Sequence, residues 1–330
     1  MKSKPLIFVH YGPSEYLGAV LAAARLSNPG KEIYFLGDES NRKFVPTGVS
    51  FFRLDDFRTG NLLEEFQSVF VPIAGRAHHF NKSGGVETWL RFVFERWFVI
   101  LEFLRARAIE SFWIFDSDTM IAGDLTERES RFAGLDATEQ CRGCCLNGYI
   151  SSVAVVEGYC RKMVDLYLQP DYLAGQRARL EVHSGLAFNE MDAWQTHREE
   201  AELRTVALGV PQDGEAFDDA LALVVDWQTA AIKVRGRIPV KRLVRDRRGG
   251  YFAFREEDGE PIRLVTLNLS WLPDYVYRKL LTGCQPVANL PYDGAYMREV
   301  DFSEPLGVRL SRRTKEMAWA ARSSIRRSSR

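Results

Sequence analysis

Phe112-Trp113-Ile114-Phe115-Asp116-Ser117-Asp118-Thr119-Met120-Ile121 decides how this chain is read. An apolar run of strand type stops at two carboxylates one residue apart, and a second short apolar run follows. A strand buried on both faces is hydrophobic throughout, so polar groups emerge where it ends. In open α/β sheets, ligands bind outside the carboxyl ends of the strands. On a regular strand the side chains of residues i and i+2 share a face, so Asp116 and Asp118 are expected to approach one metal. Two carboxylates make a hard oxygen site suited to Mg²⁺ or Mn²⁺, and such a metal in turn holds phosphates.

Upstream, Leu6 to Val9 reads as a first strand ending in His10-Tyr11-Gly12. A helix follows, with Leu17, Val20, Leu21 and Ala24 on one face, and Asn28-Pro29-Gly30 stops it. Glu32 to Leu36, ending at Gly37-Asp38, and Val49 to Leu54 read as the second and third strands. This β-α-β-β start fits a Rossmann-like α/β layer with a mostly parallel central sheet flanked by helices. After Gly84-Gly85 comes the longest helical stripe, Trp89, Phe92, Val93, Arg96, Trp97, Ile100, Leu101 and Leu104, leading to the strand that ends at Asp116. Tyr149 to Val156 reads as another buried strand, Gly158 to Leu168 as a helix, and residues from about Val182 to Arg198 as a further helix. From Ile232 to Leu269 short strand-like runs with turns at Arg248-Gly249-Gly250 and Asp258-Gly259 predict a late β-rich insertion packed on the core.

Composition narrows the function. The 330 residues are 46% hydrophobic and 27% charged, as in a soluble globular protein, and 44 basic residues balance 44 acidic ones. Zero net charge argues against a dedicated nucleic-acid binder. The apolar stretch from Trp97 to Leu104 is too short to span a bilayer. The start of the chain lacks the apolar region of a signal peptide, and five cysteines, an odd count, read as a reduced, cytoplasmic protein. Cys141-Arg142-Gly143-Cys144-Cys145 has a C-x-x-C spacing without a second pair; a zinc site needs further ligands, such as His183, and small residues before a strand are the simpler reading. Residues 1–307 are expected to form one domain. The remaining 308–330 form a basic tail, with eight Lys or Arg against one Glu, a local charge of +7. That tail, with Met317, Trp319 and Ile325 among its arginines, is read as a peripheral contact with the inner face of an anionic membrane or as a solvated, serine-rich extension.

In this setting the chain resembles nucleotide-sugar glycosyltransferases of the GT-A fold, in particular bacterial polysaccharide and lipopolysaccharide sugar transferases. Asp116-Ser117-Asp118 stands where that family carries its D-x-D motif, and the resemblance runs from about residue 5 to 290. Gly85-Val86-Glu87-Thr88-Trp89-Leu90-Arg91-Phe92 resembles the helix start that carries a donor-facing arginine, and Leu146-Asn147-Gly148-Tyr149-Ile150 the Asn-Gly strand after the metal motif. Asn189-Glu190-Met191-Asp192-Ala193-Trp194 resembles the helix with an acid near the transferred sugar, and Ala216-Phe217-Asp218-Asp219-Ala220 a late loop.

The resemblance implies transfer of a sugar from a nucleoside-diphosphate sugar, UDP first, to a glycan or lipid-linked acceptor, with Mn²⁺ or Mg²⁺. It gives Asp118 to the metal and Asp116 to the metal, its bound water or the ribose. Ser117, Asn147, Asp38, His10 and Tyr11 are expected around the nucleotide, the last with a ring suited to stacking on the base. Arg91 is expected on phosphate, although Glu87 and Glu95 stand at i−4 and i+4 from it. Asp192 is the candidate catalytic base. Many relatives end a late strand in a metal-binding histidine; here Asn268, in Val265-Thr266-Leu267-Asn268-Leu269-Ser270-Trp271, occupies that place as a weaker, amide ligand. Two other functions fit the same residues: a phosphatase or phosphotransferase of the haloacid dehalogenase type with Asp116 as nucleophile, and an inactive domain that binds a sugar nucleotide.

Overall fold

The computed structural model describes residues 3–78, 85–246, 249–282 and 297–309. In chain order they form β1 (Leu6–His10), α1 (Leu17–Ser27), β2 (Ile33–Gly37), β3 (Ser50–Arg53), α2 (Asn61–Val69), α3 (Gly85–Arg107), β4 (Phe112–Asp116), β5 (Thr119–Ile121), β6 (Ala137–Gln140) and β7 (Cys145–Ile150). Then come α4 (Val153–Tyr167), α5 (Pro170–Val182), α6 (Glu190–Glu200), β8 (Thr205–Ala207), β9 (Glu215–Phe217), β10 (Leu243–Asp246), β11 (Tyr251–Phe254), β12 (Pro261–Asn268), α7 (Asp274–Leu281) and β13 (Met297–Glu299).

A seven-stranded sheet runs β3-β2-β1-β4-β7-β6-β8. The pairs from β3 to β4 are parallel, β7 is antiparallel to both β4 and β6, and β6 pairs with β8 in parallel. The period of two decides which residue faces which core. Leu6 and Phe8 pack with α1 and the second sheet, whereas Ile7 and Val9 pack with α2, α3, α4 and α6. Both faces are therefore covered, as the uninterrupted apolar strands require.

The late β-rich segment is more than an insertion laid on that core. It forms a second sheet, β13-β10-β11-β12-β5, with β9 also on β12. Residues Thr119 to Ile121 pair with Asn268 to Thr266, so the stretch after Asp118 belongs to this second sheet. Asp116 and Asp118 thus do not lie on one regular strand, as their spacing predicts. The chain ends one strand at Asp116, turns through Ser117 and Asp118, and starts a strand of the other sheet at Thr119.

Two other expectations shift. The run Val153-Ala154-Val155-Val156 is apolar enough for a strand, but α4 starts there and buries Val155, Val156, Tyr159, Cys160 and Met163 at helical spacing. The helix expected over 182–198 starts later: α5 ends at Val182, residues 183–189 are not helical, and α6 starts after Asn189, whose side chain caps it by accepting from the Met191 N–H at 3.0 Å. The C-x-x-C spacing is the turn between β6 and β7, with Cys141 and Arg142 at φ 53° and 59°. Among the described residues no helix is long and apolar enough to cross a membrane. Cys284 and residues 310–330 of the basic tail lie outside the described residues.

Candidate active site

Strand register brings the predicted residues to one edge. Val9 pairs with Asp116, and His10 with Gly37, so the carboxyl ends of β1, β2 and β4 place His10, Asp38 and Asp116 side by side. His10 is buried, with Nδ1 2.7 Å from Ser117 Oγ and Nε2 3.0 Å from Ser14 Oγ. It therefore anchors the turn between the two acids instead of offering a ring to a base. Asp38 accepts the Gly12 N–H, and Gly12 sits at φ 72°, a conformation in which glycine carries no steric penalty. Tyr11 is half-buried with its ring centroid 4.2 Å from that of Phe92.

Asp116 faces the helices. Arg96 Nη1 donates to its Oδ1 at 2.6 Å, and Arg96 Nη2 donates to Glu190 Oε1 at 2.9 Å. One guanidinium thus bridges the end of β4 to the first turn of α6. Burial pushes the Glu190 carboxyl up to about 7; Arg96 opposes that rise, and the negative charge of Asp116 adds to it. A small void of about 10 Å³, the space of one water, lies behind Asp116 and is lined by Arg96 and Asn147 among others. Asn147 is buried, and its Oδ1 accepts the Gly148 N–H at 3.2 Å.

Asp118 faces the second sheet. Ser270 Oγ lies 2.9 Å from Asp118 Oδ2 and 2.7 Å from Asn268 Oδ1. Asn268 Oδ1 also accepts the Ser270 N–H at 3.0 Å, which sets the amide with its oxygen toward this group. Three side-chain oxygens therefore meet around the one proton of the Ser270 hydroxyl. Such a cluster of hard donors fits Mg²⁺ or Mn²⁺. It contains one carboxylate only, consistent with the absence, among the described residues, of any group of three or more His, Cys, Asp and Glu able to hold a metal. Tyr16 and Tyr277 stack beside it at 4.6 Å, and burial, followed by the charge of Asp118, raises both phenols. Trp271 comes next in the chain, 83% exposed and at φ 64°. A bulky residue in the left-handed region is a backbone outlier of the kind that gathers at functional sites.

Two predicted residues have other partners. Arg91 lies 3.8 Å from both Glu87 and Glu95 and stacks over Phe70 at 4.9 Å. The arginine on the D-x-D segment is instead Arg96. Asp192 accepts from both Arg179 Nη groups, at 2.7 and 3.0 Å, and from the Asn189 N–H at 3.2 Å, so its carboxylate closes the cap of α6. The acid of that helix linked to Asp116 is Glu190.

Arg96, Glu190 and Ser270 are the residues that sequence reasoning missed. Arg96 did carry a signal: a lone cation within an apolar helical stripe must be paired when buried. Glu190 and Ser270 carried none apart from their neighbours.

No protein-family model matches the chain, and no curated protein is similar to it. Among solved structures, the PaToxG glycosyltransferase shares 10% identity over 60% of this chain and 69% of its own, with a TM-score of 0.37. The glycosyltransferase GlyE of Streptococcus pneumoniae TIGR4 shares 13% identity over 63% of this chain and 45% of its own, with a TM-score of 0.34. Likeness at this level decides nothing about activity, which has to be argued from the site.

Proposed function

We propose that this chain is a metal-dependent glycosyltransferase that moves a sugar from a nucleoside-diphosphate sugar to a glycan or lipid-linked acceptor. One observation carries the reading. At the carboxyl edge of the parallel strands, the turn Asp116-Ser117-Asp118 joins two sheets and meets an oxygen cluster from the second one. Asp118, Asn268 and Ser270 would hold Mn²⁺ or Mg²⁺. Bound there, the metal would supply positive charge to the diphosphate leaving group without proton transfer.

The chain's own residues do the rest. Arg96 fixes Asp116 at the mouth of β4, leaving the carboxylate, about a third exposed, toward ribose or a bound water. Asp38 and the Tyr11 ring stand at the neighbouring strand ends for the nucleoside, and His10 holds Ser117 in register between them. Trp271 presents an exposed ring beside the oxygen cluster, on which a base or sugar can stack. The phosphotransferase alternative needs Asp116 as an attacking nucleophile. A carboxylate held by a guanidinium at 2.6 Å is poorly suited to that attack.

Isothermal titration with UDP, with and without Mn²⁺, tests the proposal. Wild type is expected to bind UDP more tightly with the metal, and Asp118→Ala to lose that enhancement. Equal metal dependence in both proteins refutes the assignment of Asp118. Metal-dependent UDP binding without hydrolysis of any UDP-sugar would leave the inactive binding domain as the better reading.

A further inference from the structure

Across β12 from the oxygen cluster lies a cavity of about 350 Å³. Its floor is built by the segment after β9. The Asp218 N–H donates to Thr266 O at 3.3 Å and the Leu221 N–H to Asn268 O at 2.8 Å, while Asp218 Oδ2 accepts the Asn268 N–H at 3.1 Å. The Leu269 N–H meanwhile donates to Asp118 O at 2.9 Å. Asn268 thus bonds the segment that carries the cavity wall, and Leu269, next in the chain, bonds the D-x-D turn.

The lining has a specific chemistry. Asp218 and Lys241 are fully buried and paired at 2.5 Å, and Lys241 Nζ also sits 4.6 Å from the centroid of the Trp227 ring. Asp219 is partly exposed in the wall. Its Oδ2 accepts the Arg142 N–H at 3.1 Å, and its Oδ1, which is itself buried, has no hydrogen-bond partner among the described residues. That N–H is presented by residues 141–143, which run at φ 53°, 59° and 85°. Cys141 and Arg142 are two consecutive non-glycine residues in the left-handed region, uncommon for such side chains, and Gly143 follows them without penalty. Asp219 is also pressed against the backbone of Gly209, where a Cβ would come within 2.5 Å of the carboxylate. At the rim, Val210 and Val225 are 64% and 55% exposed.

These features select a ligand class. Three carboxylates, Asp218, Asp219 and Asp226, and three cations, Arg142, Lys241 and Arg255, are among the lining residues, with Arg255 also paired to Asp258 and Glu260. The lining has no net charge to favour an anion or a cation. It combines donors, acceptors, an aromatic ring and aliphatic rim residues. Its volume is at the lower end for small-molecule sites. Hydroxyl groups both donate and accept, and a pyranose ring adds an apolar C–H face.

We propose that this cavity binds a neutral saccharide of one or two rings, held at Asp219 and against Trp227 and Val210. The class of ligand follows from the cavity alone. That the saccharide is the acceptor glycan rests on the transferase reading, with β12 linking the two sites.

Saturation-transfer NMR on the full-length protein tests the proposal, with methyl glucoside, methyl galactoside, maltose and lactose as probes. Glucose 6-phosphate and lysine methyl ester serve as charged controls. Transfer to at least one neutral sugar is expected. Asp219→Asn should weaken binding about tenfold or more, the loss of a hydrogen bond to a charged group. Val210→Glu, a substitution at an exposed position, where folding cost is usually small, should abolish it. Asp118→Ala should retain it while losing metal-dependent UDP binding. Transfer to none of the neutral sugars, preference for a charged control, or equal binding in Asp219→Asn and Val210→Glu overturns the proposal. If sugar binding survives these controls and wild type shows no metal-dependent UDP binding, the transferase reading fails and the saccharide site stands.

Discussion

Replacing Glu190 by Gln examines the Arg96 bridge most directly. In the folded protein burial raises the Glu190 carboxyl from its ordinary 4.5 to about 7, against the pull of Arg96. Below 4.5 both folded and unfolded states carry the proton. As the pH rises, the unfolded chain releases it first and the folded protein keeps it, so unfolding becomes easier. The stability linked to this group is therefore lost between about 4.5 and about 7 and is constant above. The interval of 7 minus 4.5 corresponds to about 3 kcal/mol, at about 1.4 kcal/mol per pH unit. In Glu190→Gln that slope disappears, while Arg96 keeps Asp116 as its anion. Urea denaturation of both proteins across this range, followed by circular dichroism, measures it, and the difference between the two profiles cancels the titrating groups that are not coupled to Glu190. Wild type is expected to lose about 3 kcal/mol relative to the variant as the pH climbs. Parallel profiles would mean that Glu190 does not titrate there. A wild type that gains stability with pH would mean that the pair with Arg96 outweighs burial, and the reasoning would be wrong.

Asp192→Asn removes a charge that closes the cap of α6 and pairs with Arg179; it should cost about 1 kcal/mol in a thermal or urea melt and lower turnover less than Glu190→Gln does. Gly148→Ala places a Cβ within 2.4 Å of Leu208 and Thr138 at φ 93°, and should destabilise the fold by about 2 kcal/mol or more in the same assay, displacing Asn147 with it. If the basic tail is an anchor, the full chain should co-sediment with anionic vesicles and a chain ending at Leu306 should not, since each basic residue near such a surface contributes about 1 kcal/mol; equal sedimentation of the two refutes an anchor.

The apolar strands and their polar ends were legible in the sequence because burial and backbone pairing act locally. A run such as Leu6 to Val9 or Phe112 to Phe115 has no other low-energy place than the middle of a sheet. The positions of His10, Asp38 and Asp116 at strand ends followed from that alone, whereas Asn268 was brought to the D-x-D segment only by the family resemblance. What each side chain touches was decided by the tertiary structure. The turn at Ser117 sends Asp116 to one layer and Asp118 to the other, and periodicity cannot report a change of sheet between adjacent residues. Arg91 and Arg96 differ by five positions on one helix, and only packing against β4 and α6 selects Arg96 for Asp116. Glu190 and Asp192 likewise share one helical turn, yet one is buried on the arginine bridge and the other closes a cap. Local preference assigns residues to elements; the pairing of charges across 20 to 94 residues of chain is a property of the packed molecule, in which a buried ion must find its partner wherever the fold brings one.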